Sequence, residues 1–198
     1  MSASSSDTTP PIVPGAIAGV FAWLVGYVFT YALTGTDLRE SGLNAIIEFT
    51  GGESAAYELV GWVFFNAHFV DVVYTGIPIR NPPASFVGGE EGFTVLLFLV
   101  PPALLFAAGL GLGRYYGVTG PNRGAITGVL VVPGYLVLSV FGAFLFRVSA
   151  LGATGEPEFL TAILLAGIIY PLVFGGLGGA VAGMTAARGG ESRLSVES

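Results

Sequence analysis

Two ionisable side chains stand close together in an otherwise apolar stretch of the sequence, residues 57–74. His68 is the single histidine of the chain, and Asp71 follows it three residues later. On a helix, this spacing places both side chains on one face, about 60° apart around the axis. Ionisable pairs in membrane helices face the bundle interior, where they relay protons, bind ions or contact a substrate. In this functional interpretation Asp71 is the titrating carboxylate and His68 is its proton partner.

Asn66 and Glu58 lie in the same stretch and extend the candidate site for an ion, a proton or a substrate. The alternative interpretation is structural: Asp71 reaches the polar headgroups near a helix end, while His68 packs or hydrogen-bonds against a neighbouring helix. Arg147, at the end of a later apolar segment, is a candidate partner of Asp71 in an ion pair. The residue types alone leave both interpretations open.

Glycines spaced by four residues form the most regular pattern in the chain. On a helix, this spacing aligns small residues on one face and lets two backbones approach closely. It predicts helix packing within the chain, and the alternative is a face for homo-oligomerisation. The glycines concerned are Gly15, Gly19, Gly124, Gly128, Gly175, Gly179 and Gly183.

These residues are set in long apolar segments. Of the 198 residues, 53% are hydrophobic and 10% are charged, whereas soluble domains contain about 25% charged residues. A helix needs roughly 20 apolar residues to cross a hydrocarbon layer about 30 Å thick. The sequence therefore predicts an all-α, polytopic transmembrane helical bundle with five spans, or four if the second segment is re-entrant. The predicted spans are residues 14–33, 57–74, 93–112, 124–146 and 159–182.

Polar sequence flanks and separates these segments. Residues 1–13 predict a disordered N-terminal tail, residues 14–187 the transmembrane domain and residues 188–198 a polar C-terminal tail. Between the first two spans, residues 43–49 predict a short interfacial helix. Prolines predict kinks in the last three spans. They are Pro101, Pro102, Pro133 and Pro171.

The arginines bear on orientation, because cytoplasmic loops of membrane proteins carry an excess of basic residues. If residues 57–74 span the membrane, five arginines lie on one side and two on the other; if they do not, the division is four against three. The first division predicts a multi-pass protein of the cell membrane with its N-terminus outside and its C-terminus in the cytoplasm. The five are Arg39, Arg114, Arg123, Arg188 and Arg193, and the two are Arg80 and Arg147.

Composition and motifs argue against several classes of function. Thirteen acidic residues outnumber seven basic ones, and nucleic-acid binding requires clustered basic residues. The chain has no cysteine, a lone histidine, and none of the common phosphate-binding, zinc-protease or serine-hydrolase motifs, so we expect no cofactor, no metal site and no enzymatic activity. The expected partners are the lipid bilayer and either a second copy of the chain or another membrane protein.

The first helix opens with Pro-Gly-Ala-Ile-Ala-Gly at residues 14–19, and a later one with Arg-Gly-Ala-Ile-Thr-Gly at residues 123–128. The N-terminal tail is rich in Ser and Thr, the last helix is rich in glycine, and lysine is absent. In these features the chain resembles the small uncharacterised multi-pass membrane proteins of haloarchaea. The resemblance implies a domain of unknown function and a halophilic source, and it implies no catalytic or binding residue.

Two classes of function stay open on this evidence. A non-enzymatic membrane component that acts with partner proteins predicts that His68 and Asp71 are replaceable and that the helices enclose no cavity. A small transporter or channel predicts a polar cavity at mid-depth, lined by Asp71, His68 or Asn66.

Overall fold

The computed structural model describes residues 11–50, 52–76, 85–88 and 92–194, and for residues 188–194 the backbone alone. Most of the predicted N-terminal tail, Arg80 and the last four residues lie outside the described residues. The first helix begins at Ile12, two residues before the predicted start. The last helix continues to Leu194, so the first part of the predicted C-terminal tail is helical.

Among the described residues, six helices form the body of the protein. Four of them are long and apolar enough to cross a membrane, and two are short. In chain order they are α1 (Ile12–Arg39), α2 (Gly42–Phe49), α3 (Ala56–Asn66), α4 (Val95–Tyr115), α5 (Pro121–Leu145) and α6, of which Phe159–Ala187 is the apolar part. The helix predicted at residues 43–49 is present as α2. It is capped by Ser41, whose hydroxyl accepts a hydrogen bond from the backbone N–H of Asn44.

The second predicted span does not form a single helix. Helix α3 has 11 residues and is therefore about 16 Å long, roughly half of what a span requires. After a turn at residues 67–69, the chain continues as the strand β1 (Val72–Thr75). Phe69 adopts a φ of 59°, in the left-handed region, and reverses the chain there. In the part of the chain that the structure describes, four helices and not five have spanning length.

A small antiparallel sheet, which the all-α prediction did not include, joins β1 to the connection between α5 and α6. Its strand order is β1-β3-β2, with β2 at Val148–Ala150 and β3 at Ala153–Pro157. Leu151 and Gly152 link β2 to β3, and both have positive φ angles, 54° and 80°. A two-residue turn of this kind matches the twist of the paired strands.

Helix α3 and strand β1 form a re-entrant hairpin that enters and leaves the bundle at the same end. At its start, Tyr57 stacks on Tyr31 near the end of α1, with ring centroids 5.5 Å apart. At its finish, β1 pairs with β3, which leads directly into α6. At the tip, the side chain of His68 forms a hydrogen bond with the hydroxyl of Tyr135 in α5. Because Tyr135 lies ten residues before the end of α5, the tip is about 15 Å inside the bundle.

Glycines bring the long helices into backbone contact. A Cβ atom placed on Gly124 would overlap the carbonyl oxygen of Gly179, and one on Gly128 would overlap that of Gly175. Gly183 meets Gly120 in the same way, so α5 and α6 touch along three successive turns. Helix α1 uses the same device, since its Gly15 and Gly19 pack on the backbone of Leu130 and Val131 in α5. All seven predicted packing glycines therefore face another helix of the same chain.

Each predicted proline kink coincides with a change in helical hydrogen bonding. Helix α4 opens with a 3₁₀ turn, and Pro101 and Pro102 occupy the first α-helical turn after it, where no backbone N–H is needed. In α5 the regular ladder is interrupted just before Pro133. In α6, wider i→i+5 turns flank Pro171. The pair in α4 thus lies at a helix start and not in mid-helix.

The outward faces of the long helices carry large apolar side chains. On α1, Ile17, Phe21 and Val28 are 61–68% exposed, and on α5 Phe141 and Leu145 are exposed to a similar extent. An apolar surface of this extent is unfavourable in water and favourable among lipid chains. The four helices thus have both the length and the outer surface that insertion into a membrane requires.

Candidate functional site

His68 lies at the tip of the re-entrant hairpin and is completely buried. Its Nδ1 is 2.8 Å from the carbonyl oxygen of Phe64, and its Nε2 is 2.7 Å from the hydroxyl of Tyr135. Since a carbonyl oxygen only accepts, Nδ1 carries the proton and donates it, and Nε2 accepts from the tyrosine O–H. Both nitrogens are therefore occupied by structural hydrogen bonds.

Asn66 completes the tip. Its Nδ2 donates to the carbonyl oxygen of Val70 at 2.8 Å, and its Oδ1 accepts from the backbone N–H of Phe86 at 2.7 Å. His68 thus supplies a partner to a carbonyl oxygen in the last turn of α3, and Asn66 supplies partners to backbone groups of the segments beside the tip. Inside a lipid bilayer such groups have no water to bind. The two polar side chains thus allow the chain to reverse deep within the bundle.

Asp71 is separated from His68. Helix α3 ends at Asn66, so neither residue lies on a helix and the predicted shared face does not form. The side chain of His68 is directed inward and buried, whereas Asp71 is exposed. The backbone oxygen of Asp71 accepts from the N–H of Glu158 at the start of α6, 2.8 Å away. The structure therefore does not bring together the pair that the sequence predicted.

Arg147 pairs with Glu156 and not with Asp71. Its guanidinium lies 2.5 Å from the Glu156 carboxylate, and the two side chains are 54% and 25% exposed. Arg147 directly precedes β2 and Glu156 lies on β3, so the ion pair links the two arms of the β2–β3 hairpin. An exposed pair of this kind contributes about 1 kcal/mol or less to stability.

Glu58, the fourth predicted residue, lies near the start of α3 and away from the hairpin tip. It lines a cavity of about 310 Å³ between α1, α3 and the end of α5, together with Trp23, Tyr27 and Phe146. Its Oε2 is buried and has no hydrogen-bond partner. Within the described ranges, no three His, Asp or Glu side chains are grouped so as to hold a metal ion.

Comparison with known proteins assigns a family. Residues 1–186 match a family described as "Family of unknown function (DUF7978)". The chain belongs to this family. The match extends from before α1 through the apolar part of α6, and it confirms the expected relation to a domain of unknown function. No curated protein and no solved structure matches the chain.

In this member of the DUF7978 family, the sequence did not reveal which residues contact the polar side chains. Tyr135 binds His68 from 67 positions away, and the ring of Tyr170 in α6 lies 5.0 Å from the imidazole. Trp23 and Tyr27, which line the cavity together with Glu58, are four residues apart in α1. That spacing places both rings on one face, which is the one local signal that could have revealed the cavity.

Proposed function

We propose that the protein is a multi-pass component of the cell membrane of a haloarchaeon, that it is not an enzyme, and that it acts with a partner protein of the membrane. Four helices of spanning length with apolar outer faces support the membrane location. An acidic chain without lysine supports the halophilic source. The lack of catalytic motifs supports the absence of enzymatic activity.

One observation favours this function over transport: the polar side chains at mid-depth are engaged in holding the hairpin. A proton relay or an ion site needs polar atoms that can exchange their partners for the passenger. His68 uses both ring nitrogens, and Asn66 uses its amide nitrogen and oxygen, within the chain. Asp71, the proposed titrating group, is exposed and apart from them. This arrangement supports a structural role for His68 and Asn66.

The end of the bundle that holds the sheet supports contact with a partner. A groove of about 340 Å³ runs between α2 and the sheet, and Leu43, Ile46 and Tyr74 line it. At its edge Leu151 is 78% exposed, and Phe49 of α2 is 93% exposed. Because the glycine faces are already occupied within the chain, we favour a partner at this apolar end over a homo-oligomer formed through glycines.

Orientation follows from the number of crossings. Four crossings place the start of α1 and the end of α6 on the same side, in contrast to the opposite sides expected from five. The arginines then divide four against three, and the larger group marks the cytoplasm. We therefore propose that both of these helix ends face the cytoplasm, and that α2 and the sheet lie outside. The larger group is Arg114, Arg123, Arg188 and Arg193.

Cysteine labelling tests the re-entrant hairpin, because the natural chain has no cysteine. Glu53→Cys and Thr75→Cys flank the hairpin at exposed positions. We expect a membrane-impermeant maleimide to label both from the same side of the membrane. Tyr115 is 83% exposed at the C-terminal end of α4. Tyr115→Cys is the control and should react only from the opposite side of the membrane. Labelling of positions 53 and 75 from opposite sides would show that this segment spans.

Proton flux tests the choice between the two functions. In proteoliposomes under a pH gradient, we expect the wild-type protein to conduct no more than protein-free vesicles, and Asp71→Asn to behave identically. Asp37→Asn, at another exposed carboxylate, is the matched control for the loss of one acidic group. Flux through the wild type that disappears in Asp71→Asn alone would replace the proposal with a proton-coupled transporter.

A further inference from the structure

The cavity beside Glu58 has the features of a ligand site. We call it the aromatic pocket, and its volume of about 310 Å³ lies at the lower end of the range of small-molecule sites. It lies beside the entry of the re-entrant hairpin, away from the polar groups at the hairpin tip. Its lining residues are Trp23, Leu24, Tyr27, Tyr57, Glu58, Leu145 and Phe146.

Three nearly parallel rings form one wall of the aromatic pocket. Tyr27 lies 5.9 Å from Trp23 and 5.3 Å from Phe146 between ring centroids, with interplanar angles of 11° and 9°. Trp23 and Phe146 are 6.2 Å apart and also parallel within 9°. The faces of such rings are electron-rich and attract cations, most strongly where water is excluded.

Unpaired polar atoms point to a missing partner. In the described part of the chain, three buried side-chain polar atoms lack a hydrogen bond, and two of them belong to residues of this pocket. They are Nε1 of Trp23, a donor, and Oε2 of Glu58, an acceptor. Trp23 is only 5% exposed. Buried polar groups are normally paired, so the carboxylate oxygen favours a positive charge beside it and the indole N–H favours an acceptor.

The charge of the pocket selects the ligand. Glu58 is the one charged residue among the seven that line it, and no basic side chain is present to balance the carboxylate. An anion would be repelled by the carboxylate and by the ring faces alike. At the rim, Leu24 and Leu145 are 46% and 68% exposed, so the opening is apolar and faces outward with the lipid-exposed side of the bundle.

We propose that the aromatic pocket binds an organic cation, an ammonium group that carries an apolar chain. The ammonium lies between the Glu58 carboxylate and the ring faces, and the chain leaves past Leu24 and Leu145. The indole N–H of Trp23 serves an oxygen acceptor where the ligand has one. This assignment goes beyond the membrane role proposed above and does not depend on it.

Calorimetric titration of the purified protein in a non-ionic detergent tests the assignment, with hexyltrimethylammonium as the probe. We expect saturable binding that weakens about tenfold or more in Glu58→Gln, in keeping with the loss of an ionic partner in a desolvated site. Hexanol, with the same chain and no charge, should bind at least about tenfold more weakly than the cation. Glu53→Gln removes an exposed carboxylate nearby in sequence and should leave binding unchanged.

Glu58→Asp keeps the negative charge and should retain part of the affinity that Glu58→Gln loses, which separates a charge effect from a folding defect. Binding of the probe to the protein in nanodiscs distinguishes the source of the ammonium. If the probe binds more weakly in choline lipids than in lipids with glycerol headgroups, the pocket binds a lipid headgroup. If it binds equally in both, the pocket binds a soluble amine. The proposal is overturned if the wild type shows no saturable binding, or if Glu58→Gln binds the probe as tightly as the wild type.

Discussion

Gly179→Ala is expected to destabilise the protein, whereas Gly111→Ala is expected to leave it unchanged or slightly more stable. The added methyl group at Gly179 overlaps the backbone oxygen of Gly124 in α5, and a backbone cannot turn aside as a side chain can. Helices α5 and α6 must then separate, at a cost of about 2–3 kcal/mol. At Gly111 the same methyl group meets open space, and alanine favours a helix over glycine by up to about 1 kcal/mol.

Thermal unfolding in detergent, followed by circular dichroism, measures both variants against the wild type. The two substitutions are chemically identical and both lie in long apolar helices, so their difference isolates the packing of α5 on α6. Equal melting temperatures for the two variants would contradict the contact between Gly124 and Gly179.

His68→Leu is expected to cost about 2–5 kcal/mol of stability, because it leaves two buried groups without partners. These are the carbonyl oxygen of Phe64 and the hydroxyl of Tyr135. Tyr135→Phe removes only the second bond and leaves Nε2 of His68 unpaired, at a cost of about 1–3 kcal/mol. The double variant should be less destabilised than the sum of the two, since both single changes break the same hydrogen bond.

Chemical unfolding of the two single variants and the double variant in the same detergent gives the coupling energy between the residues. Asp71→Asn is the matched control for this region, because the exposed carboxylate contributes little to the hairpin. Strict additivity, or a stability of His68→Leu equal to that of the wild type, would contradict the structural role of the histidine.

Hydropathy and residue spacing were sufficient to predict the frame of the bundle. Helices α1, α4, α5 and α6 follow from the length of their apolar segments, because this signal is local. The contact of Gly124 with Gly179 agrees with a spacing of four, which determines one face of a helix. Spacing does not name the helix that receives this face, so the sequence predicted packing within the chain but left oligomerisation open as the alternative.

The sequence left a re-entrant second segment as the alternative to a fifth span and did not decide between them, because hydropathy does not indicate where a chain reverses. Residues 57–74 are mainly apolar, and a straight span would have the same composition. The reversal depends on Phe69, a residue type that rarely adopts a positive φ. The role of His68 depends on Tyr135, which is distant in sequence, and the pairing of Arg147 with Glu156 depends on a sheet that was not predicted.

The re-entrant hairpin is held in place by parts of the chain that are synthesised after it. Strand β1 pairs with β3, Trp62 donates to the backbone oxygen of Phe146, and His68 binds Tyr135. These partners lie 67 to 85 residues later in the sequence, in α5, in the turn that follows it and in β3, all of which leave the ribosome after the hairpin. The hairpin can therefore complete these contacts only once α5 and β3 have been synthesised, so an early segment of the polypeptide waits for a late one.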